Sequence, residues 1–398
     1  MRISVTRRIL TGNLPELFGV YREGIRMKMR RFAAVGAMAA AVLLTFQLPG
    51  ASAGQLGRGD QAQPVDQSLR ALGNRHDLRI GTAVDMAALA SDTTYRERIA
   101  KEFSTVTPEN VMKWETIEPS PGSFDFSAAD QLVNFARQNG QQVRGHTLLW
   151  HNQLPTWLTD GVANGSITAD RLRTILRDHI FAEAGHFRGK IWQWDVVNEA
   201  INDDGTMRDT IWLQKLGPGY IADAFRWAHQ ADPHALLFYN DYNIEFTGAK
   251  HDTAVALVKS LKAQGVPIHG VGLQGHLGLQ YGLPDAPTLA ANLKHFTDTG
   301  LAVAWTEVDV RMPLPNDVYK SQAQAQGYSI VAQACLLNPR CLSLTVWGYT
   351  DKYSWIPGWF TDPPQGAANL LDENYQAKPA YQAMRTVLAL STGPHKRS

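Results

Sequence analysis

Short apolar, β-branched runs recur along this chain at 79–84, 105–106, 143–148, 191–197, 235–239, 270–274, 302–306 and 343–347. Several are apolar without alternation, the pattern of strands buried on both faces. Between them lie segments with helical spacing of apolar positions, which predict helices over 128–138, 169–184, 220–231, 253–264, 288–296 and 319–336, and a last one over 379–388. Strands alternating with helices argue a parallel sheet, and eight such strands argue closure of that sheet on itself. The fold class expected is therefore α/β, a (β/α)8 TIM barrel forming one domain over 69–392.

Two of the runs end in side chains that such strands do not bury unpaired. IWQWDVVNEA (191–200) closes on Asn198 and Glu199. LAVAWTEVDV (301–310) delivers Glu307, with Asp309 two residues on and facing the same way if the strand continues. One strand–helix unit of such a barrel takes roughly 30 to 40 residues, so the 108 residues between Glu199 and Glu307 set their strands about three units apart, across one barrel mouth. A lone carboxylate at a strand end is commonly a satisfied partner of an arginine or of backbone amides. Two glutamates facing across a pocket are what glycoside hydrolysis requires: a proton donor for the leaving oxygen and a carboxylate at the anomeric carbon.

Composition narrows the partners. Of the 398 residues 44% are apolar and the formal net charge is +1, which argues against nucleic acid or an anionic membrane surface. The eleven tryptophans point the other way, toward sugars, whose flat faces stack on indole rings; about half of them are expected in the core. The two cysteines, Cys335 and Cys341, enclose Asn338-Pro339. In an exported protein they read most simply as a disulfide pinning a helix to the eighth strand, with two buried free thiols as the alternative. No histidine pair accompanies them at metal-ligand spacing.

The N-terminal stretch reads as a targeting signal. From Met27 the chain runs MKMRR, then apolar from Phe32 to Leu48, then Pro49-Gly50-Ala51-Ser52-Ala53, a basic region, an apolar core and an A-x-A cleavage site. Cleavage after Ala53 is expected, so 1–53 is an extended signal peptide whose translation start is Met1, Met27 or Met29. Retention of the run as a membrane anchor is the competing reading. A flexible mature N-terminus over 54–68 and a disordered tail over 393–398 complete the expected organisation. Asn202-Asp203-Asp204-Gly205 reads as a turn ahead of an ion site.

At this point the motifs are specific enough to carry a resemblance. WDVVNEA and WTEVDV look like the acid/base and nucleophile motifs of the glycoside hydrolase family 10 endo-β-1,4-xylanases. TPENVMKW (107–114), RGHTLLWHNQLPTW (144–157), FYNDYNIE (238–245), GVGLQGHL (270–277) and VWGYTDKYSW (346–355) resemble further blocks of that family, in its order. Long blocks in the right order are far more specific than one short motif.

The resemblance implies a single catalytic barrel with Glu199 as general acid/base and Glu307 as nucleophile, their carboxyls about 5 to 5.5 Å apart and configuration retained. It assigns Asn198 to the sugar 2-hydroxyl and His276 to holding Glu307 ionised. Asp309 stands behind His276, and Gln274 lies close to the acid/base. Glu109, Asn110 and Lys113 match the glycone-side hydrogen-bonding set, although without the other blocks they would read as a solvated helix start. His146 and Trp150 line the pocket, Trp347 and Trp355 are sugar platforms, and Tyr242 is an aglycone-side candidate. Residues matching Gln153 and Trp355 crowd the space that a hydroxymethyl group would need, which favours xylan over cellulose. No cofactor and no metal are implied. The expected partners are xylan and xylo-oligosaccharides, and the protein is expected to be a secreted extracellular monomer. Competing readings are an exo-acting or glucan-specific relative, a non-catalytic sugar-binding barrel and a surface-anchored structural protein.

Overall fold

The computed structural model describes residues 66–392, and the expected signal peptide, most of the flexible N-terminus and the C-terminal tail lie outside them. Ten strands occur among these residues: β1 Arg79–Val84, β2 Thr105–Pro108, β3 Gln142–His146, β4 Ile191–Asn198, β5 Leu236–Asp241, β6 Gly270–Leu273, β7 His276–Gly278, β8 Ala302–Pro313, β9 Cys341–Val346 and β10 Gln365–Gly366. Strands β1 to β6, then β8 and β9, pair in parallel in sequence order, and β9 closes the ring on β1 through Ile80↔Leu344 and its neighbours. This is the closed eight-stranded barrel expected from the alternation of patterns. Its outer helices include Ser127–Gln138, Ala169–His186, Tyr220–Ala231, Ala249–Ala263, Ala286–Thr297, Val318–Leu336 and Pro379–Leu390.

The strands are apolar throughout because the helices cover their outer faces while the barrel interior takes the inner ones. Val196, Leu237, Val271, Val303 and Leu344 are all fully buried. Trp194 and Trp305 are also fully buried, and Trp194 packs over the backbone of β3. A Cβ on Gly145 would come within 2.2 Å of that indole, so this position accepts only glycine. Of the eleven tryptophans, Trp114, Trp194, Trp212 and Trp305 are buried in the core and Trp157 and Trp227 pack against it, in keeping with the half assigned to the core.

The structure corrects several boundaries. β3 stops at His146 rather than at 148, because the chain there folds over the end of β4: both the Thr147 hydroxyl and the Leu148 amide donate to the Asp195 carbonyl. β5 runs two residues beyond the expected 239 and thereby carries Asn240 and Asp241. β8 continues seven residues past 306 to Pro313, because β7 pairs with it in parallel and β10 in antiparallel fashion. The helix expected from 253 begins at Ala249, with Lys250 and His251 buried in its first turn. Glu109–Lys113 is a turn rather than the start of a helix.

Cys335, in the helix Val318–Leu336, and Cys341, at the start of β9, form a disulfide. β9 is the eighth barrel strand, so the bridge joins the two elements expected. Asn202–Thr206 is a turn closed by the Asn202 and Thr206 backbones, with Gly205 at φ 84°. Among the described residues no helix is long and apolar enough to cross a membrane.

Candidate active site

β4 ends on Asn198 and the chain turns sharply at Glu199, whose φ of 58° lies in the left-handed region. A glutamate held there costs roughly 1–3 kcal/mol and persists only where its surroundings over-determine it. The turn directs the carboxylate onto three donors: Oε2 accepts from the Trp150 indole at 2.9 Å, and Oε1 from the Gln274 amide at 2.9 Å and the Asn198 amide at 3.3 Å. Glu307 sits in mid-strand, 4% exposed. Its Oε1 accepts from Asn240 at 2.8 Å and from the Arg144 guanidinium at 3.4 Å, and its Oε2 faces His276 Nε2 at 3.3 Å.

One chain of amides joins the two carboxylates. Asn198 Oδ1 accepts from Gln274 at 3.3 Å and from Asn240 at 2.8 Å. Gln274 reaches on to Glu199 and Asn240 reaches on to Glu307. Gly275, at φ 74°, makes the turn that splits Gln274 toward one glutamate and His276 toward the other.

The electrostatics of the two glutamates differ. Burial alone would raise the pKa of Glu307, but the charge of His146, the hydrogen bond and charge of His276, and the charge of Arg144 together hold it well below the usual carboxylate range. His276 lies between two carboxylates, Nδ1 at 2.9 Å from Asp309 and Nε2 at 3.3 Å from Glu307. Both acceptors are anionic, so both ring nitrogens carry protons. Burial opposes this charge, yet Asp309 and then Glu307 push the imidazolium up to about 10. Asp309 is in turn fixed by the Trp355 indole at 2.9 Å.

Behind Glu307 lies a buried ion cluster. Asp195 Oδ2 accepts from Arg144 Nη2 at 2.5 Å, from Arg144 Nε at 2.9 Å and from His146 Nδ1 at 2.8 Å. Arg144 also donates at 2.6 Å to the Thr306 carbonyl, so it spans the barrel from β3 to β8. Burial would raise Asp195, but Arg144 and His146 lower it. His146, Asp195 and Glu307 offer atoms within 4.8 Å of one another, as a metal site would. Arg144 already supplies the cation between those carboxylates, and the Nδ1 proton of His146 is given to Asp195.

The remaining predicted residues gather around this centre. Lys113 is buried, its Nζ 4.9 Å above the Trp150 ring and 5.9 Å from that of Trp347. Burial lowers its pKa, opposed chiefly by Glu307, Glu109 and Glu199. Trp347 meets the His146 ring at 5.3 Å and the His276 ring at 6.3 Å, and Trp355 meets His276 at 5.0 Å. Glu109 is pushed up to about 7 by burial and by the charge of Asp85, against the pull of Lys113. Exposed Asn110 accepts from Lys113 and from Gln153, whose amide also donates to Glu115 at 3.1 Å. Gln153 and Trp355 share no hydrogen bond or ring contact among the described residues. Tyr242 stands further out, its hydroxyl accepting from Arg208 at 2.9 Å.

Four residues of this site were not singled out from the sequence: Arg144, Asp195, Asn240 and Arg208. A signal existed for the first two. A charge within the buried part of each of two neighbouring strands has to find the other, and register places Asp195 opposite His146, two residues from Arg144. Asn240 carried no such signal, because its strand was expected to end at 239. Its amide is the only group bonded to both Asn198 and Glu307 among the described residues, so Asn240→Ala is expected to lower kcat by about tenfold to 100-fold. Steady-state kinetics on xylo-oligosaccharides would show the fall, with KM changing less.

Glu199, just past the end of β4, and Glu307, within β8 and bonded by Arg144, form a linked pair of carboxylates of the kind that glycoside hydrolysis uses, and comparison with known proteins points to the same class. Residues 68–387 match the model of glycosyl hydrolase family 10, and the chain belongs to that family. It is 41% identical over 336 residues to endo-1,4-beta-xylanase 1 of Gibberella zeae, covering 83% of this chain and 92% of that protein. It is 42% identical over 329 residues to endo-1,4-beta-xylanase B of Thermotoga neapolitana, covering 81% and 92%. Among solved structures, native xylanase 10B of Thermotoga maritima superposes with a TM-score of 0.77 at 43% identity, over 81% of this chain and 98% of that one. Xylanase 10B of Thermotoga petrophila in complex with xylobiose gives 0.77 at 41% identity, over 84% and 99%.

Proposed function

We propose that this protein is a secreted endo-β-1,4-xylanase that cleaves internal xylosidic bonds with retention of configuration, Glu199 acting as acid/base and Glu307 as nucleophile. The observation that carries the assignment is the asymmetry of the two glutamates. Glu307 is buried against His276, Arg144 and Asn240, an environment that keeps a carboxylate ionised. Glu199 is half-buried and contacts only neutral donors, Trp150, Gln274 and Asn198, which tolerate either protonation state.

In the first step an oxygen of Glu307 bonds to the anomeric carbon as the bond to the leaving sugar breaks. The departing electron pair stays on the glycosidic oxygen, which takes the proton of Glu199. In the second step water attacks the same carbon, Glu199 takes a water proton, and the bond to Glu307 breaks to restore its carboxylate. The first step leaves Glu199 as a carboxylate and the second returns its proton, so one residue serves as acid and then as base. Asn198, held by Gln274 and Asn240, is set to bond the 2-hydroxyl of the reacting sugar. Lys113, Glu109, Asn110 and His146 bind the glycone side, Trp150, Trp347 and Trp355 are sugar platforms, and Tyr242 serves the aglycone side. Gln153 and Trp355 disfavour glucose-based chains by sterics. The apolar run at 32–48, the A-x-A site and the single disulfide support export.

The test is to treat xylan and carboxymethyl-cellulose with the mature protein while following viscosity and reducing ends together. Xylan viscosity is expected to collapse while few reducing ends have formed, with carboxymethyl-cellulose nearly untouched. Reducing ends that rise in step with the viscosity loss would show exo action, and preference for the cellulosic chain would overturn the role of Gln153 and Trp355.

A further inference from the structure

Three successive carbonyls follow the end of β4, those of Glu199, Ala200 and Ile201, and one residue bonds all three. Arg208 Nε donates to the Glu199 carbonyl at 2.9 Å, its backbone N–H to the Ala200 carbonyl at 2.8 Å, and its Nη2 to the Ile201 carbonyl at 3.3 Å. The same Nη2 donates to the Tyr242 hydroxyl at 2.9 Å. Beyond it the clasp continues to β5: Lys250 Nζ lies 3.1 Å from the Tyr242 ring centre and 3.0 Å from Asp241. Asp241 accepts from Tyr239 at 2.5 Å, and the Tyr239 oxygen accepts the Ala200 N–H at 3.2 Å. Arg208 makes no hydrogen bond and no ion pair to the Glu199 carboxylate. Its one hydrogen bond to Glu199, the residue at φ 58°, is to the backbone carbonyl, while its charge acts on the carboxylate from a distance.

We propose that Arg208 is a positioning residue for Glu199: by bonding the carbonyls on the far side of the turn it locks the left-handed backbone that aims the Glu199 carboxyl at the glycosidic oxygen. The inference rests on the reading of Glu199 as acid/base. A planar guanidinium suits the task because its fork spans two carbonyls and a hydroxyl at fixed angles, whereas an ammonium is a single point donor. Without the clasp Glu199 relaxes toward ordinary φ, and its carboxyl swings off Trp150 and Gln274. Glycone-side binding, which the proposed function gives to Lys113, Glu109 and Asn110, is left in place. Tyr242 on the aglycone side loses its Arg208 donor, so Tyr242→Phe, which removes that bond alone, is measured beside the Arg208 variants and is expected to lower kcat/KM on the oligosaccharide by under about tenfold. The step lost is proton transfer to the leaving oxygen.

That loss has a signature which a merely structural brace lacks. An aryl xylobioside with a 2,4-dinitrophenyl group departs as a stable phenolate and needs no proton, whereas a xylo-oligosaccharide does. The value of kcat/KM reports bond cleavage up to the glycosyl-enzyme for both. For Arg208→Met it is expected to fall at least about 100-fold on the oligosaccharide and under about tenfold on the aryl glycoside. Arg208→Lys, which keeps the charge and one donor, is expected to fall between wild type and Arg208→Met on the oligosaccharide, and it carries the test should the methionine variant fail to fold by circular dichroism. Equal changes on both substrates would overturn the proposal and leave Arg208 a structural brace. Glu199→Ala is measured alongside. If it shows the leaving-group split while the Arg208 variants do not, this inference alone fails. If Glu199→Ala shows no split, the assignment of Glu199 is what fails.

Discussion

Glu307→Ala is expected to lower xylan turnover by about 10⁴-fold or more, and added azide is expected to restore part of it as an α-configured glycosyl azide. On the proposed mechanism the carboxylate removed is the group that bonds the anomeric carbon, and no neighbour substitutes for it. His276, Asn240 and Arg144 surround it as donors and cannot attack. A small anion entering the vacated space meets those same donors and attacks the sugar from the same face, while Glu199 still protonates the leaving oxygen. One displacement in place of two inverts the configuration. Product analysis by NMR after incubation with an activated aryl xylobioside checks this. A β-configured azide, or activity within about tenfold of wild type, would remove Glu307 from the nucleophile's role.

Arg144→Met is expected to destabilise the protein by about 3–5 kcal/mol, because it leaves Asp195 buried without its cation. Arg144 and Asp195 are 1% and 0% exposed, so water cannot take over the lost bonds. The effect depends on pH with a definite sign. Asp195 and Glu307 both have folded pKa values held below the ordinary carboxylate range, with Arg144 among the causes in each. Such groups contribute stability above the carboxylate range and lose it as pH falls. The deficit relative to wild type should therefore be full at neutral pH and narrow as pH falls below about 4. Urea unfolding at a series of pH values, compared by midpoint at unchanged slope, measures it. The variant should also lose activity at a higher pH than wild type on the acid side, since Glu307 protonates more readily without the guanidinium. An unchanged midpoint at pH 7 would show that the cluster adds no net stability.

Much of this architecture was legible in the sequence, for a physical reason. Strands buried on both faces have to be continuous apolar runs, and a glutamate closing such a run, as Glu199 does, stands out. The alternation of Glu307 and Asp309 on one strand face was equally readable, and the family resemblance set His276 beside them; in the structure His276 lies between Glu307 and Asp309, and Trp355, expected only at the sugar, bonds Asp309. What escaped detection depends on partners distant in sequence. β8 continues through Val310 to Pro313 only because β7 and β10 pair with it, and nothing local announces that. His276, expected near the end of the sixth strand, opens a separate short strand instead, after the turn at Gly275. Asn240 looked like a loop residue because β5 was expected to stop one residue before it. Arg208 sits in a turn-rich stretch, DDGTMRDT, where an arginine reads as solvated; its three carbonyl acceptors become visible only once the left-handed turn at Glu199 is in place.

Double displacement between Glu199 and Glu307 is tested most directly by the anomeric configuration of the first product. Wild-type protein would be mixed with xylopentaose in an NMR tube and the new reducing ends followed within the first minutes, before mutarotation mixes the anomers. Double displacement releases the β-anomer first, with the α-anomer appearing only at the rate of mutarotation. Initial release of the α-anomer would mean a single displacement with water positioned between the two carboxylates, and would contradict the role given to Glu307.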